Sequence, residues 1–215
     1  MADFKRARSC EQKEQRMNEI KTAADQLFSQ MPYPEITLTT IAERLGWSRA
    51  NLYKYVTTKE EIFLAITADK RDAYTAALLA ALPAGCGFSN ETIAEVWAGL
   101  AAAHRDYFRY GGMLFTVIET NVSVEKLTEF KRGYYRDLET VREQLGSVLG
   151  VNADVVERLV NSVYSHGVGL AGSCMNNPLV VEAVSNLGIV RPKIDFQSDM
   201  RDFIAMTIAW YQAKR

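Results

Sequence analysis

The sequence contains little cysteine, no long apolar run and almost no net charge. Its three cysteines lie far apart among 215 residues and form no CxxC pair, so neither a disulfide framework nor a zinc site is expected. No apolar stretch reaches the roughly 18 residues that span a bilayer. None follows the basic opening MADFKRARS, as a signal peptide would require. These absences predict a cytoplasmic protein with no membrane partner and no metal.

The charge balance alone indicates no polyanionic partner, because 25 Lys and Arg face 26 Asp and Glu, a net charge of −1. The distribution along the chain is uneven. Residues 1–60 hold ten basic and eight acidic side chains, whereas the remaining residues hold fifteen and eighteen. The small positive excess therefore lies at the N-terminal end.

Apolar residues recur at helical spacing through nearly the whole chain, and no segment alternates as a strand does, which predicts an all-α fold. Proline and glycine mark the breaks, at Pro32 and Pro34, at Gly46, between Pro83 and Gly87, and at the pair Gly111-Gly112. Helix-capping residues are expected at Ser48, Ser123 and Asn152, and a Thr58–Glu61 capping box is expected to open the fourth helix. The expected helices are 11–31, 37–45, 49–56, 58–82, 90–110, 113–122, 123–149, 153–176, 179–185 and 196–213.

The stretch IAERLGWSRANLYKY predicts a helix-turn-helix. Ala42 is small enough to let a second helix cross closely, and Gly46 can take the positive φ that reverses the chain. Ile41, Leu45 and Leu52 supply apolar contacts between the two helices, together with Trp47. The second helix of such a unit fits the major groove of DNA.

Removing the inward residues of that second helix leaves Ser48, Arg49, Ala50, Tyr53 and Lys54 facing outward. Arginine pairs bidentately with guanine, alanine contacts the thymine methyl, and lysine or tyrosine reaches phosphates or base edges. Lys59 begins the next helix, where its ammonium and the first-turn amides suit a phosphate. The sequence therefore predicts binding to double-stranded DNA.

The pattern T-x-x-x-IA-x-x-x-G-x-S-x-x-x-LY-x-Y-x-x-x-KE-x-I, from Thr37 to Ile62, resembles the DNA-binding domain of the tetracycline-repressor (TetR) family of bacterial regulators. The motif match covers about residues 15–66, and the remainder is similar in helical character. The resemblance implies a three-helix DNA-binding domain, expected at residues 10–58, and a larger helical domain at 59–215 that binds an effector and dimerises. It implies a homodimer that represses from a palindromic operator and is released by a small molecule, without catalysis or cofactor.

The family's contact residues transfer onto matching positions of this chain. Base reading is implied for Arg49, Ala50 and Lys54. Two departures, Ala50 in place of the usual glycine and Val56 in place of a frequent phenylalanine, affect the expected operator sequence. The implied phosphate contacts are Thr37, Tyr53, Tyr55 and Lys59. Lys5, Arg6 and Arg8 are expected to form either a DNA-contacting arm or a solvated terminus.

The larger domain is expected to carry the dimer interface and the effector pocket. Gly167, Gly169, Ala171 and Gly172 would let another helix approach, either in a partner subunit or within one subunit's core. Glu119 ends an apolar run and could face a cationic or hydroxylated ligand, although a helix-end carboxylate in water is the more ordinary interpretation. The aromatic candidates also fit an ordinary core. The candidates for the pocket are Trp97, His104, Phe108, Phe115, Glu119, Tyr134, Tyr135, Tyr164 and His166.

Two alternatives stay open at this point. One is a helical small-molecule-binding or catalytic protein with an unused helix-turn-helix, although no GxSxG, P-loop or GxGxxG occurs. His166 and Cys174 lie roughly 12 Å apart along a helix, too far for a shared metal or a catalytic pair. The other alternative is a thiol-sensing regulator that uses Cys10, Cys86 or Cys174. Salt-sensitive retention of genomic DNA separates a DNA-binding regulator from the first alternative.

Overall fold

The computed structural model describes residues 2–173, 178–190 and 192–214, and within these ranges every regular element is helical. The predicted all-α fold is confirmed. None of the helices in these ranges is long and apolar enough to cross a membrane. The helices are α1 (Ala2–Gln30), α2 (Leu38–Leu45), α3 (Arg49–Leu52), α4 (Lys59–Ala81), α5 (Asn90–Ala103), α6 (Arg105–Met113), α7 (Val124–Leu149), α8 (Ala153–Ser173), α9 (Pro178–Asn186) and α10 (Phe196–Gln212).

The chain forms two compact units. The first comprises the residues up to Asp69 together with Leu114–Lys131, and the second comprises Lys70–Met113 and the residues from Arg132 onward. These units differ in outline from the domains 10–58 and 59–215 expected from sequence, which stay predictions.

The core of the first unit is built on the apolar stripe of α1. Ile20, Leu27 and Phe28 are almost fully buried, as their helical spacing predicts. Phe28, Tyr33 and Phe63 form edge-to-face pairs with ring centroids 4.9 to 6.4 Å apart. Such pairs contribute about 0.5–1.5 kcal/mol each beyond the apolar area that they bury. Other buried residues of this unit include Ile36, Ile41, Ala42, Leu52, Val56, Ile62 and Ile66.

The core of the second unit lies where α5, α6, α8 and α10 pack together. Trp97 of α5 and Phe108 of α6 are its largest fully buried side chains together with Tyr110. The apolar face predicted for the last helix is confirmed, because Met200, Ile204 and neighbouring residues of α10 are buried.

One helix predicted as continuous, 90–110, is divided in the structure, and the prediction was wrong there. His104 ends α5 with φ −107° and ψ 31°, outside the helical range. The N–H of Tyr107 then bonds the His104 carbonyl at 2.9 Å, a bond to the third residue back that starts α6. Gly111 and Gly112 were expected to break a helix but lie inside α6.

The predicted caps are largely confirmed. Ser123 accepts from the Lys126 N–H at 3.3 Å, and Asn152 accepts from the Val155 N–H at 2.9 Å. The apolar run predicted as a short helix forms a π-helical turn, Leu114–Ile118, followed by a 3₁₀ turn, Glu119–Asn121.

Some predictions fall outside the part of the chain that the structure describes. Cys174 and the predicted helix end at residue 176 are among these, as are the side chains of residues 2–10, which include Cys10. The proposed arm of Lys5, Arg6 and Arg8 falls within α1 rather than ahead of the first helix. Cys86, the remaining cysteine, is a half-buried free thiol.

Candidate nucleic-acid interface and effector cavity

The start of α2 is fixed by a reciprocal cap. The Thr37 hydroxyl accepts from the Thr40 N–H at 3.1 Å, and the Thr40 hydroxyl accepts from the Thr37 N–H at 2.9 Å. Two backbone donors that a helix start leaves unsatisfied are thereby bonded. Thr37 is exposed.

The turn after α2 depends on a glycine, as the sequence predicts. Gly46 has φ 65° and ψ 27°, in the left-handed region. Its N–H bonds the Glu43 carbonyl at 3.0 Å, and the next N–H, that of Trp47, bonds the Ala42 carbonyl at 2.9 Å. This is the glycine-dependent helix ending that reverses the chain direction.

The second helix of the pair is shorter than predicted. Ser48 caps α3 by accepting from the Asn51 N–H at 3.2 Å, but the helix ends at Leu52 rather than at residue 56. Beyond Leu52 the N–H groups of Lys54 and Tyr55 bond carbonyls three residues back, at 3.3 and 3.0 Å. This tightened turn replaces the last predicted helical turn.

Five side chains predicted to face outward are exposed: Ser48, Arg49, Ala50, Tyr53 and Lys54. Half of the Tyr53 surface is accessible, although tyrosine is a large and partly apolar side chain. The arginine and lysine heads together with this phenol form a surface patch of the type that contacts DNA.

Tyr55 is half-buried and packs on the turn. Its ring centroid lies 5.8 Å from that of Trp47. The guanidinium of Arg16 lies over the Trp47 ring, 5.3 Å from the ring centroid. Arg16 was not among the predicted residues, and only its basic charge on α1 could have indicated it.

Lys59 is half-buried and fixes the loop ahead of α2. Its ammonium donates to the carbonyls of Tyr33 at 3.0 Å and Ile36 at 2.7 Å, and lies 4.1 Å from the Tyr33 ring centroid. Burial lowers the pKa of this ammonium, and the nearby Glu60 carboxylate opposes that shift. A lysine has three N–H donors, so one remains for a phosphate.

The predicted Thr58–Glu61 capping box is half present. Thr58 accepts from the Glu61 N–H at 3.2 Å, as predicted. The Glu61 carboxylate, however, accepts from the N–H and the hydroxyl of Thr57 rather than from Thr58. The reciprocal bond is thus displaced by one residue, because Thr57 offers two donors.

The second unit contains a cavity of about 50 Å³, room for one or two water molecules. Four of the predicted effector residues meet at its wall: Trp97, Phe108, Tyr134 and Tyr164. Sequence reasoning missed the others, since nothing in the helical pattern of α4, α6, α7 and α8 distinguishes them from core or surface. These are Arg71, Tyr74, Thr75, Leu78, Tyr107, Asp137, Leu138, Val141 and Val160.

The polar groups of this wall are largely engaged with one another. The Trp97 Nε1–H donates to the Tyr74 hydroxyl at 2.6 Å. Burial raises the pKa of the Tyr74 phenol and that of Tyr107, so both stay protonated. Arg71 is buried, and its Nε lies 3.3 Å from the Asp137 carboxylate.

Three helical glycines make room for three wall side chains. A Cβ at Gly111 would lie 2.6 Å from Val168 and closer still to the Tyr164 hydroxyl. One at Gly133 would lie 2.7 Å from Arg71 Nη2, and one at Gly167 2.5 Å from the Phe108 ring. Each glycine costs about 1 kcal/mol of helix propensity relative to alanine. The cavity wall is therefore built on close approaches that only glycine allows.

The remaining predicted effector residues lie elsewhere. Phe115 is exposed in the first unit, where the Glu119 carboxylate pairs with Lys131 at 2.6 Å and is not a solvated group. Tyr135 is exposed and contacts Tyr134 edge to face. His104 and His166 lie in the second unit: His104 lies against the edge of Tyr74, and His166 stacks on Phe203 at 3.9 Å. No cluster of three or more metal-binding side chains occurs in the described ranges.

Comparisons with known proteins agree with this geometry. A family profile described as "Bacterial regulatory proteins, tetR family" matches residues 20–66, and one described as "Tetracyclin repressor-like, C-terminal domain" matches residues 68–215. Among curated proteins none is significantly similar.

Several solved structures share the fold. A TetR/AcrR-family transcriptional regulator from Thermobifida fusca YX-ER1 is 18% identical with a TM-score of 0.54, over 90% of this chain and 97% of that one. The fatty acid degradation regulator FadR from Bacillus halodurans is 12% identical with a TM-score of 0.57, over 89% and 94%. A transcriptional regulator from Rhodococcus sp. Rha1 is 17% identical with a TM-score of 0.56, over 92% and 96%.

The family profiles together account for most of the chain, and the chain belongs to the TetR family of bacterial transcriptional regulators. It is a DNA-binding regulator of transcription whose N-terminal region contains the helix-turn-helix.

Proposed function

We propose that this protein is a homodimeric repressor that binds a palindromic operator in the cytoplasm and is released by a small effector. The observation that carries the proposal is the exposure of Arg49, Ala50, Tyr53 and Lys54 around a capped, glycine-dependent turn. In this proposal Arg49, Ala50 and Lys54 read base edges, and Tyr53 contacts the backbone.

Phosphate contacts in this proposal come from groups that also hold the turn in shape. Thr37 and Ser48 cap α2 and α3 through their oxygens, and each hydroxyl hydrogen can turn toward a phosphate. Tyr55 presents its phenol beside Trp47, and the third N–H of Lys59 completes the set. Because these contacts position the duplex without reading bases, their loss is expected to weaken all DNA binding similarly.

The dimer in this proposal uses the outward faces of α8 and α10. Gly169 and Gly172 are exposed, with nothing within 4 Å of a Cβ built at either. Met206 and Trp210, one turn apart on α10, expose 62% and 58% of their surfaces. The two helices pack against each other, and large exposed apolar side chains are typical of interaction surfaces. Gly167 and Ala171 instead face the subunit's own core.

The effector in this proposal binds the cavity of the second unit. Ligand sites usually reach 300–1,000 Å³, so the cavity of about 50 Å³ must open to admit an effector. We expect the dimer with an opened cavity to bind DNA less well. An effector that binds this opened form more tightly would therefore lower operator affinity. A coupling free energy of about 1–3 kcal/mol would give a 5–150-fold change.

Selection of bound fragments from random DNA tests the proposal. The expected consensus is palindromic, with half-sites about 34–36 Å apart or a multiple of that distance. On the selected operator and a scrambled duplex, Arg49→Ala is expected to lose about 1–3 kcal/mol on the operator alone and so relax sequence choice. A protein that enriches no sequence and binds both duplexes equally would contradict the proposal.

A further inference from the structure

The wall of the cavity in the second unit defines a class of ligand. We infer that this cavity takes an uncharged, flat aromatic molecule that carries a hydroxyl group. The inference rests on the proposed function, because it treats this cavity as the effector site, and it adds the chemistry of the effector.

A stack of three tyrosine rings favours a flat ligand. The ring centroids of Tyr74 and Tyr107 lie 5.2 Å apart with planes at 29°, and those of Tyr107 and Tyr164 lie 5.1 Å apart at 38°. Phe108 meets the Tyr74 ring edge to face at 5.3 Å. A ligand ring that enters this group can adopt the same offset-stacked and edge-to-face contacts, whereas a flexible alkyl chain cannot.

The charges at the wall are already opposed. The Arg71 Nε and Nη2 donate to Asp72 Oδ1 at 2.9 and 2.6 Å, and Nε lies 3.3 Å from Asp137 Oδ2. Asp137 Oδ1 accepts in turn from the Arg136 guanidinium at 3.1 and 2.9 Å. An anionic ligand would bring a third carboxylate to Arg71, and a cationic ligand would bring a third cation to Asp137. Either would leave this set of two arginines and two aspartates with an uncompensated charge, which is strongly unfavourable at a buried site.

The charged side chains just outside the cavity wall, Glu157 and Arg142, are paired in the same way. Burial, and then the nearby Glu157 carboxylate, raise the pKa of the Tyr134 phenol, but this carboxylate already lies 3.3 Å from Arg142 Nη1. Within the described residues, the wall atom that can still take a ligand's hydrogen bond is Asp137 Oδ2. That buried carboxylate oxygen accepts no hydrogen bond within the described residues and can accept one from a ligand hydroxyl.

The cavity must widen before it can hold a ring, since about 50 Å³ accommodates only one or two waters. Tyr107, Tyr134 and Tyr164 are only half-buried, so their rings form the side of the wall nearest to solvent. In this inference the cavity opens by rotation of these rings, while the fully buried Trp97 and Phe108 stay in place.

Three probes that share one ring system and differ in charge test the inference: 2-naphthol, 2-naphthoate and naphthalen-2-ylmethylammonium. Equilibrium dialysis of the full-length protein at pH 7 measures each dissociation constant. We expect 2-naphthol to bind at least about 100-fold more tightly than either charged probe. Equal or tighter binding of a charged probe overturns the inference, and so does the absence of binding by all three.

Two adjacent glycines of α6 provide a matched pair that locates the binding. Gly111→Ala places a methyl group against Tyr164, whereas Gly112→Ala adds the same methyl where nothing lies within 4 Å. Affinity for 2-naphthol is expected to fall at least about tenfold in Gly111→Ala and to stay unchanged in Gly112→Ala. If Gly111→Ala does not fold, Val160→Phe, which fills the cavity from its wall, is expected to show the same loss. Unchanged binding by these cavity-filling variants overturns the inference.

Operator binding of the same preparations separates this inference from the proposed function. A protein that binds its operator but prefers a charged probe contradicts the ligand class alone. A protein that binds 2-naphthol as expected but no operator contradicts the proposed function.

Discussion

Replacement of Lys59 by alanine tests whether this residue acts on the loop ahead of α2 as well as on DNA. The side chain donates to the Tyr33 and Ile36 carbonyls at 3.0 and 2.7 Å and lies over the Tyr33 ring. Hydrogen bonds from a charged donor contribute about 1.5–3 kcal/mol each when well buried. Because Lys59 is only half-buried, water can replace part of these bonds, and we expect a local loss of about 2 kcal/mol.

Hydrogen–deuterium exchange of peptides covering α2 and α3 measures this loss directly, since exchange reports local opening. A loss of about 2 kcal/mol accelerates exchange about 30-fold. Lys54→Ala is the matched control: Lys54 is exposed on the outer surface, so its removal is expected to change stability by less than about 0.5 kcal/mol. An exchange rate in Lys59→Ala equal to that of the wild type would refute the reasoning.

Three further predictions concern the turn, a half-buried histidine and the dimer. Gly46→Ala is expected to cost about 1 kcal/mol in urea unfolding and Gly46→Asn less, because φ 65° strains alanine more than asparagine; equal stability of all three proteins would contradict this. Burial lowers the pKa of His166 despite the nearby Asp199, so stability should fall as pH drops below about 6.5. His166→Gln should remove that part of the pH dependence, with His104→Gln as the control, and an unaltered pH profile would count against it. Trp210→Glu is expected to shift the protein toward monomer in sedimentation velocity, since the exposed ring would lie in the proposed interface; an unchanged dimer would contradict that interface.

The helix-turn-helix could be predicted almost entirely from sequence, because its signals are local. Thr37 and Ser48 cap helices through neighbouring backbone groups, and Gly46 takes a conformation that few other residues accept. The length of α3 could not be predicted. The apolar residues Leu52 and Val56 fit a helical spacing whether or not the backbone bonds remain helical between them.

The cavity could be predicted only in part, because its wall depends on contacts between distant segments. Trp97 and Phe108 stand out as aromatic residues on apolar helices, but Arg71 and Asp137 look like ordinary charges on long helices. Nothing local shows that Gly133 makes room for Arg71, 62 residues earlier in the chain. The ion pair of Glu119 and Lys131, by contrast, joins residues only 12 apart in sequence, because Lys131 lies on the next helix.

Guanine methylation protection on the selected operator tests the central proposal most directly, because it probes the N7 atoms of the major groove that an arginine contacts. The proposal predicts that wild-type protein protects symmetric guanines in both half-sites. It predicts that Arg49→Ala, at a concentration that saturates the operator, loses protection at one position in each half-site. Identical protection by the two proteins, or protection on one side only, would contradict a two-fold dimer that reads DNA through the outer surface of α3.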